Sequence, residues 1–151
     1  MMPQYHLIAS LTLSVCFYQT TKSTPSALLC LLSGIIPDAD HIIDFWLYER
    51  RITFSKEIFQ GFYEKWGKIP VLLHSIELLI PIWALAYALN TYIYSAAITI
   101  GILTHLLMDF LSYERRPLSY FLSYRIAKNF DRKFICAEEE CEIRQKNTGR
   151  G

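Results

Sequence analysis

The sequence lacks a net charge of either sign: 15 Lys and Arg stand against 14 Asp and Glu, a formal charge of +1 with histidine neutral. No global basic field exists to draw in a nucleic-acid backbone, so that class of partner is excluded. Cysteine patterning is missing too. Cys16, Cys30, Cys136 and Cys141 show neither the paired spacing of a structural zinc site nor the density of a disulfide scaffold. The first two fall in apolar runs as small packing residues, while the other two flank Ala137-Glu138-Glu139-Glu140 and read as reduced thiols. No Lys or Arg precedes the first apolar run, so the charged start of a secretory signal is absent and that segment is expected to be retained. No internal repeat longer than a helical hairpin is visible.

Apolar length is what the chain has in quantity. Hydrophobic residues make up 52% beside 19% charged ones, so strongly apolar stretches must alternate with polar ones. Four apolar segments stand out, at 7–18, 26–37, 71–89 and 92–111. The last two approach the roughly 20 residues that span a bilayer core, and the first two would sit short or tilted. Thr24-Pro25 suits a helix start, and the tight links 19–25 and 90–91 make two antiparallel hairpins. The reading is an all-α, polytopic membrane protein of about four transmembrane helices. A basic and aromatic stretch after Ser112 is expected to form an interfacial helix. One membrane-embedded domain covers 1–134, and a polar, disordered tail covers 135–151. A soluble all-helical domain with the same segments as its core is the alternative.

Orientation follows from charge. With four crossings, the N-terminus, the 45–70 link and the C-terminal tail share one side and hold every Lys and Arg except Lys22. Positive residues collect on the cytoplasmic side, which sets a plasma (inner) membrane protein with that face in the cytoplasm.

All four histidines lie at segment ends that this topology brings to that face. His6 precedes the first segment, His41 follows the second, His74 opens the third and His105 closes the fourth. Carboxylates accompany them in Pro37-Asp38-Ala39-Asp40-His41-Ile42-Ile43-Asp44. His105 and Asp109 are four apart and His74 and Glu77 three apart, spacings that share a helical face. Singly, each has a plain reading: a histidine as an interfacial cap, Asp38 as a turn starter, Asp109 as a partner of Arg115 or Arg116. Together, so many ionisable groups at membrane depth are most simply compensated by a shared cation.

His6, Asp38, Asp40, His41, His74, His105 and Asp109 are seven candidate ligands, more than one tetrahedral zinc uses. Either two ions bind or some groups orient others. Mixed nitrogen and oxygen donors suit Zn, Mn or Fe, with Zn first because it acidifies water without redox chemistry. Asp38, Asp44 or Glu77 could act as general base, and the sequence leaves the three open. Ser75 beside His74 is a poor nucleophile candidate, since adjacent helical side chains diverge. Arg50, Arg51, Arg115 and Arg116 read as positive-inside anchors that could also hold phosphate.

Pro37-Asp38-Ala39-Asp40-His41, Leu73-His74-Ser75 and Thr104-His105-Leu106-Leu107-Met108-Asp109, preceded by His6, resemble the prokaryotic membrane-bound metal-dependent hydrolases, LexA-regulated type. The resemblance covers 6 to about 117 and implies a polytopic inner-membrane protein distantly like zinc-dependent phospholipase C. The chain departs from the family before His74, where Pro70-Val71-Leu72-Leu73 stand in place of an Arg and a Thr. The expected function is hydrolysis of a phosphodiester or ester in a membrane lipid or lipid-linked substrate through a metal-activated water. The rival is a non-catalytic membrane metal-binding or transport protein, disfavoured because transport ligands belong near the midplane of broken helices. A haem carrier would leave the aspartates unexplained.

Overall fold

The computed structural model describes residues 3–51, 62–112 and 116–136. The basic positions Lys56 and Arg115 lie outside them, as does the expected tail of 135–151 apart from Ile135 and Cys136, which are buried in an apolar cluster. Among the described residues the fold is all-helical, with one isolated bridge between Lys68 and Asp131 as its only extended pairing. The helices are α1 (Pro3–Thr21), α2 (Thr24–Ser33), α3 (Ala39–Glu49), α4 (Phe62–Trp66), α5 (Leu79–Leu89), α6 (Tyr92–Ser112), α7 (Leu122–Ala127) and α8 (Arg132–Ile135).

Local chemistry accounts for the breaks. The Ser23 hydroxyl caps α2 by accepting from Ser26 N–H, with Pro25 in the first turn. Gly34 closes α2, and a 3-10 turn at Ile36–Asp38 leads into α3. Asn90, in the left-handed region at φ 54°, closes α5 and permits the tight return into α6.

Small residues bring α1, α2 and α6 together. A Cβ at Gly101 would lie 2.0 Å from Ser33 Oγ and 2.5 Å from the Cys30 carbonyl oxygen, and one at Gly34 would lie 2.2 Å from Ser10 Oγ. Ser14 Oγ donates to the Ala27 carbonyl at 2.7 Å. Such close approach of helix backbones is how bundles gain packing where the hydrophobic effect is weak.

The burial pattern is inverted relative to a water-soluble helix. On α1 the buried positions are His6, Ser10 and Ser14, one stripe at four-residue spacing, while Leu7, Ile8, Leu11 and Val15 are exposed. On α3, Asp40, His41 and Asp44 are buried and Ile42, Ile43, Trp46 and Leu47 are exposed. Two runs, Thr24–Glu49 and Tyr92–Ser112, are long and apolar enough to cross a membrane. The 21 residues of α6 reach about 31 Å, matching a hydrocarbon core.

Two expectations change here. The segment 71–89 is not one long helix: Val71 to Ser75 turn, a 3-10 turn covers Ile76–Leu78, and α5 has 11 residues, roughly 16 Å. Pro70 and an extended Ser75 (φ −125°, ψ 125°) delay the helix, so His74 and Glu77 do not share a helical face. The stretch after Ser112 is not a single helix either. Residues 117–135 fold as a 3-10 turn, α7 and α8, and Arg125, expected to face headgroups, is fully buried.

Gly101→Ala is expected to lower the thermal unfolding midpoint in detergent, a cost of about 1–3 kcal/mol, because its methyl meets Ser33 and the α2 backbone. An unchanged midpoint would mean that α2 and α6 can separate freely.

Candidate metal centre

Four elements deliver the side chains. His6 comes from the first turns of α1, Asp38, Asp40, His41 and Asp44 from the turn and helix after α2, His74 from the turn before α5, and His105 and Asp109 from the end of α6. All four histidines, Asp40, Asp44 and Asp109 are buried, and Asp38 is half-buried.

The rings are fixed by their outer nitrogens. His105 Nδ1 lies 2.9 Å from the Gly34 carbonyl oxygen, which can only accept. His74 Nδ1 lies 3.2 Å from Asp40 Oδ2. His41 Nδ1 lies 3.0 Å from Tyr63 Oη, whose proton goes to Asp44 Oδ2 at 3.0 Å. These acceptors place the proton of each neutral ring on Nδ1, which leaves an Nε2 lone pair on three histidines. Metal-bound histidines are oriented by outer partners in just this manner.

The inner nitrogens then converge. His105 Nε2 and His74 Nε2 are 3.2 Å apart. Two lone pairs that close repel, unless a proton or cation lies between them. Two imidazoles on one tetrahedral zinc, at Zn–N distances of about 2.0–2.1 Å, would sit about 3.4 Å apart, so the observed separation fits an ion. Asp109 divides its oxygens: Oδ1 is 3.2 Å from His6 Nε2, and Oδ2 is 3.3 Å from His74 Nε2 and 3.6 Å from His105 Nε2. The His6 approach lacks hydrogen-bond geometry, and the His6 ring stacks on that of His105 at 4.0 Å.

Two groups of donors result, His6 with His105 and Asp109, and Asp38 with His41 and His74, the atoms of each within 4.8 Å of one another. These buried His and Asp clusters could hold a metal ion. His105 Nε2 also lies 3.8 Å from Asp38 Oδ1, so the groups adjoin.

Not every candidate faces the donors. Asp40 belongs to neither group, and its Oδ2 accepts from Leu73 N–H as well as standing against His74 Nδ1. Asp44 Oδ2 takes the Tyr63 hydroxyl and Val71 N–H at 3.0 Å. Glu77 is not brought to the cluster: its carboxylate accepts from Leu122 and Ser123 N–H and holds the start of α7. Asp38 Oδ2 is buried without a hydrogen-bond partner.

Three positioning groups escaped the sequence reading: the Gly34 carbonyl, Tyr63 and Arg125. Arg125 clamps the His74 turn, donating to the carbonyls of Pro70 (2.6 Å), Val71 and His74 (3.2 Å) and to Ser75 Oγ. Val71 in that turn has φ 33°, a strained value for a β-branched residue that costs about 1–3 kcal/mol and persists only where its surroundings enforce it. Asp44 from one side and Arg125 from the other do so. A backbone carbonyl leaves no mark in a sequence, and one arginine among the six basic residues from Arg115 to Lys133 looks like the rest.

No model of a known protein family, no curated protein and no solved structure matches the chain.

Asp40→Asn keeps the shape of the side chain but removes the charge that holds the His74 tautomer. It is expected to weaken divalent metal binding about 10–100-fold, while Cys136→Ala leaves binding unchanged. Titration of the purified protein with Zn²⁺ against a competing chelator reads both, and equal affinities for Asp40→Asn and wild type would remove Asp40 from this role.

Proposed function

We propose that this protein is a multi-pass membrane metal-dependent hydrolase, acting on a phosphodiester or ester of a lipid or lipid-linked substrate. The observation that carries the reading is that three imidazoles have Nδ1 committed to fixed partners, while the Nε2 atoms of His74 and His105 stand 3.2 Å apart against Asp109, and His41 groups with Asp38 and His74. Nitrogen and oxygen donors without a thiol suit a catalytic rather than a structural ion, zinc first, with manganese or iron on the same donors. The two groups adjoin, with Asp109 of one standing 3.3 Å from His74 of the other, so the donors suit one shared ion or a pair. The motif order likened above to membrane-bound metal-dependent hydrolases supports the same conclusion.

The inverted burial of α1 and α3 supports the bilayer location: polar stripes inward and aliphatic faces outward suit hydrocarbon, not water, as the surrounding medium. The four-crossing topology and the cytoplasmic position of the centre belong to this proposal, on the Lys and Arg distribution already given.

A bound divalent ion supplies positive charge at the attacked group and lowers the pKa of water to about 7. The chain's own residues do the rest. His6, His41, His74, His105 and Asp109 hold the ion or ions, while Asp40, Tyr63 with Asp44, and the Gly34 carbonyl fix the rings. Asp38 is the carboxylate that takes the proton from the attacking water, because its Oδ2 is buried without a hydrogen-bond partner and the residue stands beside the His41, His74 and His105 donors. Asp44 acts through Tyr63 and His41, and Glu77 as a cap on α7.

Metal-loaded protein in vesicles, assayed with a fluorogenic phosphodiester phospholipid, should turn over, and Asp38→Asn should slow it by about 10²–10⁴ while keeping most of its metal. Glu77→Gln should retain turnover. The assignment fails if Asp38→Asn works at full rate, and no metal-dependent turnover of any ester or phosphodiester lipid would overturn the hydrolase reading.

A further inference from the structure

A cavity of about 350 Å³ lies between α2, the turn before α5, α5 and α6. Its size falls within the roughly 300–1,000 Å³ of small-molecule sites. The lining is aliphatic, including Leu29, Leu32, Pro37, Leu73, Ile98 and Ile102, with Ser33 as its one polar side chain. A space of that chemistry has no partners for ordered water and suits hydrocarbon.

Its placement names the occupant. Pro37 immediately precedes Asp38, Leu73 immediately precedes His74, and Ile102 lies one turn before His105 on the buried side of α6. The cavity therefore runs up against the same turns that carry three candidate ligands. Two of its walls belong to Thr24–Glu49 and Tyr92–Ser112, the runs able to cross a membrane. At its rim Leu32 and Ile36 are about half exposed, at 49% and 51%, so an apolar surface continues from the cavity to the outside of the bundle. A molecule with a hydrocarbon chain and a polar head finds the chain's environment and the head's environment side by side here.

We propose that this cavity receives one hydrocarbon chain of the lipid substrate, entering from the bilayer and holding the scissile headgroup bond against the His and Asp cluster. The identification of the chain as the substrate's rests on the hydrolase reading above. The cavity would then act as a ruler: chains that fill it hold the head in place, and chains too short to reach it leave the head loosely positioned.

The test uses the full-length, zinc-loaded protein in phosphatidylcholine vesicles with a trace of a long-chain alkyl phosphate carrying a diazirine near its chain end. Irradiation followed by peptide mass spectrometry should place adducts on the segments holding Leu29, Ile98 and Ile102. Ile98→Trp and, separately, Leu29→Trp, which fill the space without touching a ligand, should cut those adducts several-fold while zinc content stays at the wild-type level. Both variants should also slow hydrolysis of long-chain more than short-chain phospholipids. Adducts spread over the outward faces at Leu7, Leu11 and Val15, unaltered in the filled variants, would overturn the proposal and leave the hydrolase reading standing. Adducts in the cavity without metal-dependent hydrolysis of any lipid would overturn the hydrolase reading, and with it the chain's identity as substrate.

Discussion

Three imidazole rings in this protein have their outer nitrogens tied to groups that only accept or that pass a proton onward: the Gly34 carbonyl, the Asp40 carboxylate, and Tyr63 bonded to Asp44. That constraint turns lone pairs inward until two of them stand 3.2 Å apart. Such an arrangement is repulsive unless a proton or a cation lies between, and a bound ion would couple folding to metal binding. Much of the remaining structure can be understood as holding those outer partners in place. Gly101 lets α6 approach α2 closely enough for His105 to reach Gly34, and Arg125 with Asp44 enforces the strained turn that presents His74.

The same groups explain why the bundle's interior is polar. Ser10, Ser14, Ser26, Ser33 and Ser95 are all buried. Where both the surroundings and the outer helix faces are apolar, separating the two brings no hydrophobic gain, and association rests on close packing and interhelical hydrogen bonds. A second cluster, Phe45, Phe62, Tyr63, Ile69, Val71, Ile135 and Cys136, packs in the ordinary apolar manner. It supports Tyr63 and the Val71 turn, so the region outside α1, α2 and α6 contributes to the centre through packing.

How much of this the sequence disclosed depends on whether a feature is periodic or local. That His6, His41, His74 and His105 belong to one layer followed from their placing at alternate ends of apolar segments, an argument that survives a helix starting late. His74 does sit in a turn, yet it remains at the correct end. Helical spacing misplaced Glu77, because Pro70 and the extended Ser75 displace the helix start and the carboxylate caps α7. His105 and Asp109, inside an uninterrupted α6, do share a face. The roles of the Gly34 carbonyl, Tyr63 and Arg125 depend on contacts 71, 22 and 50 to 55 residues apart in the chain, which no local pattern encodes.

The most direct measurement of the central claim is elemental analysis of the detergent-purified wild-type protein, combined with X-ray absorption at the edge of the metal found. At least one tightly held divalent ion is expected, with a shell of nitrogen and oxygen at about 2.0–2.2 Å and multiple imidazole signatures. Protein that neither carries nor takes up a divalent ion, or a shell containing sulfur at about 2.3 Å, would contradict it.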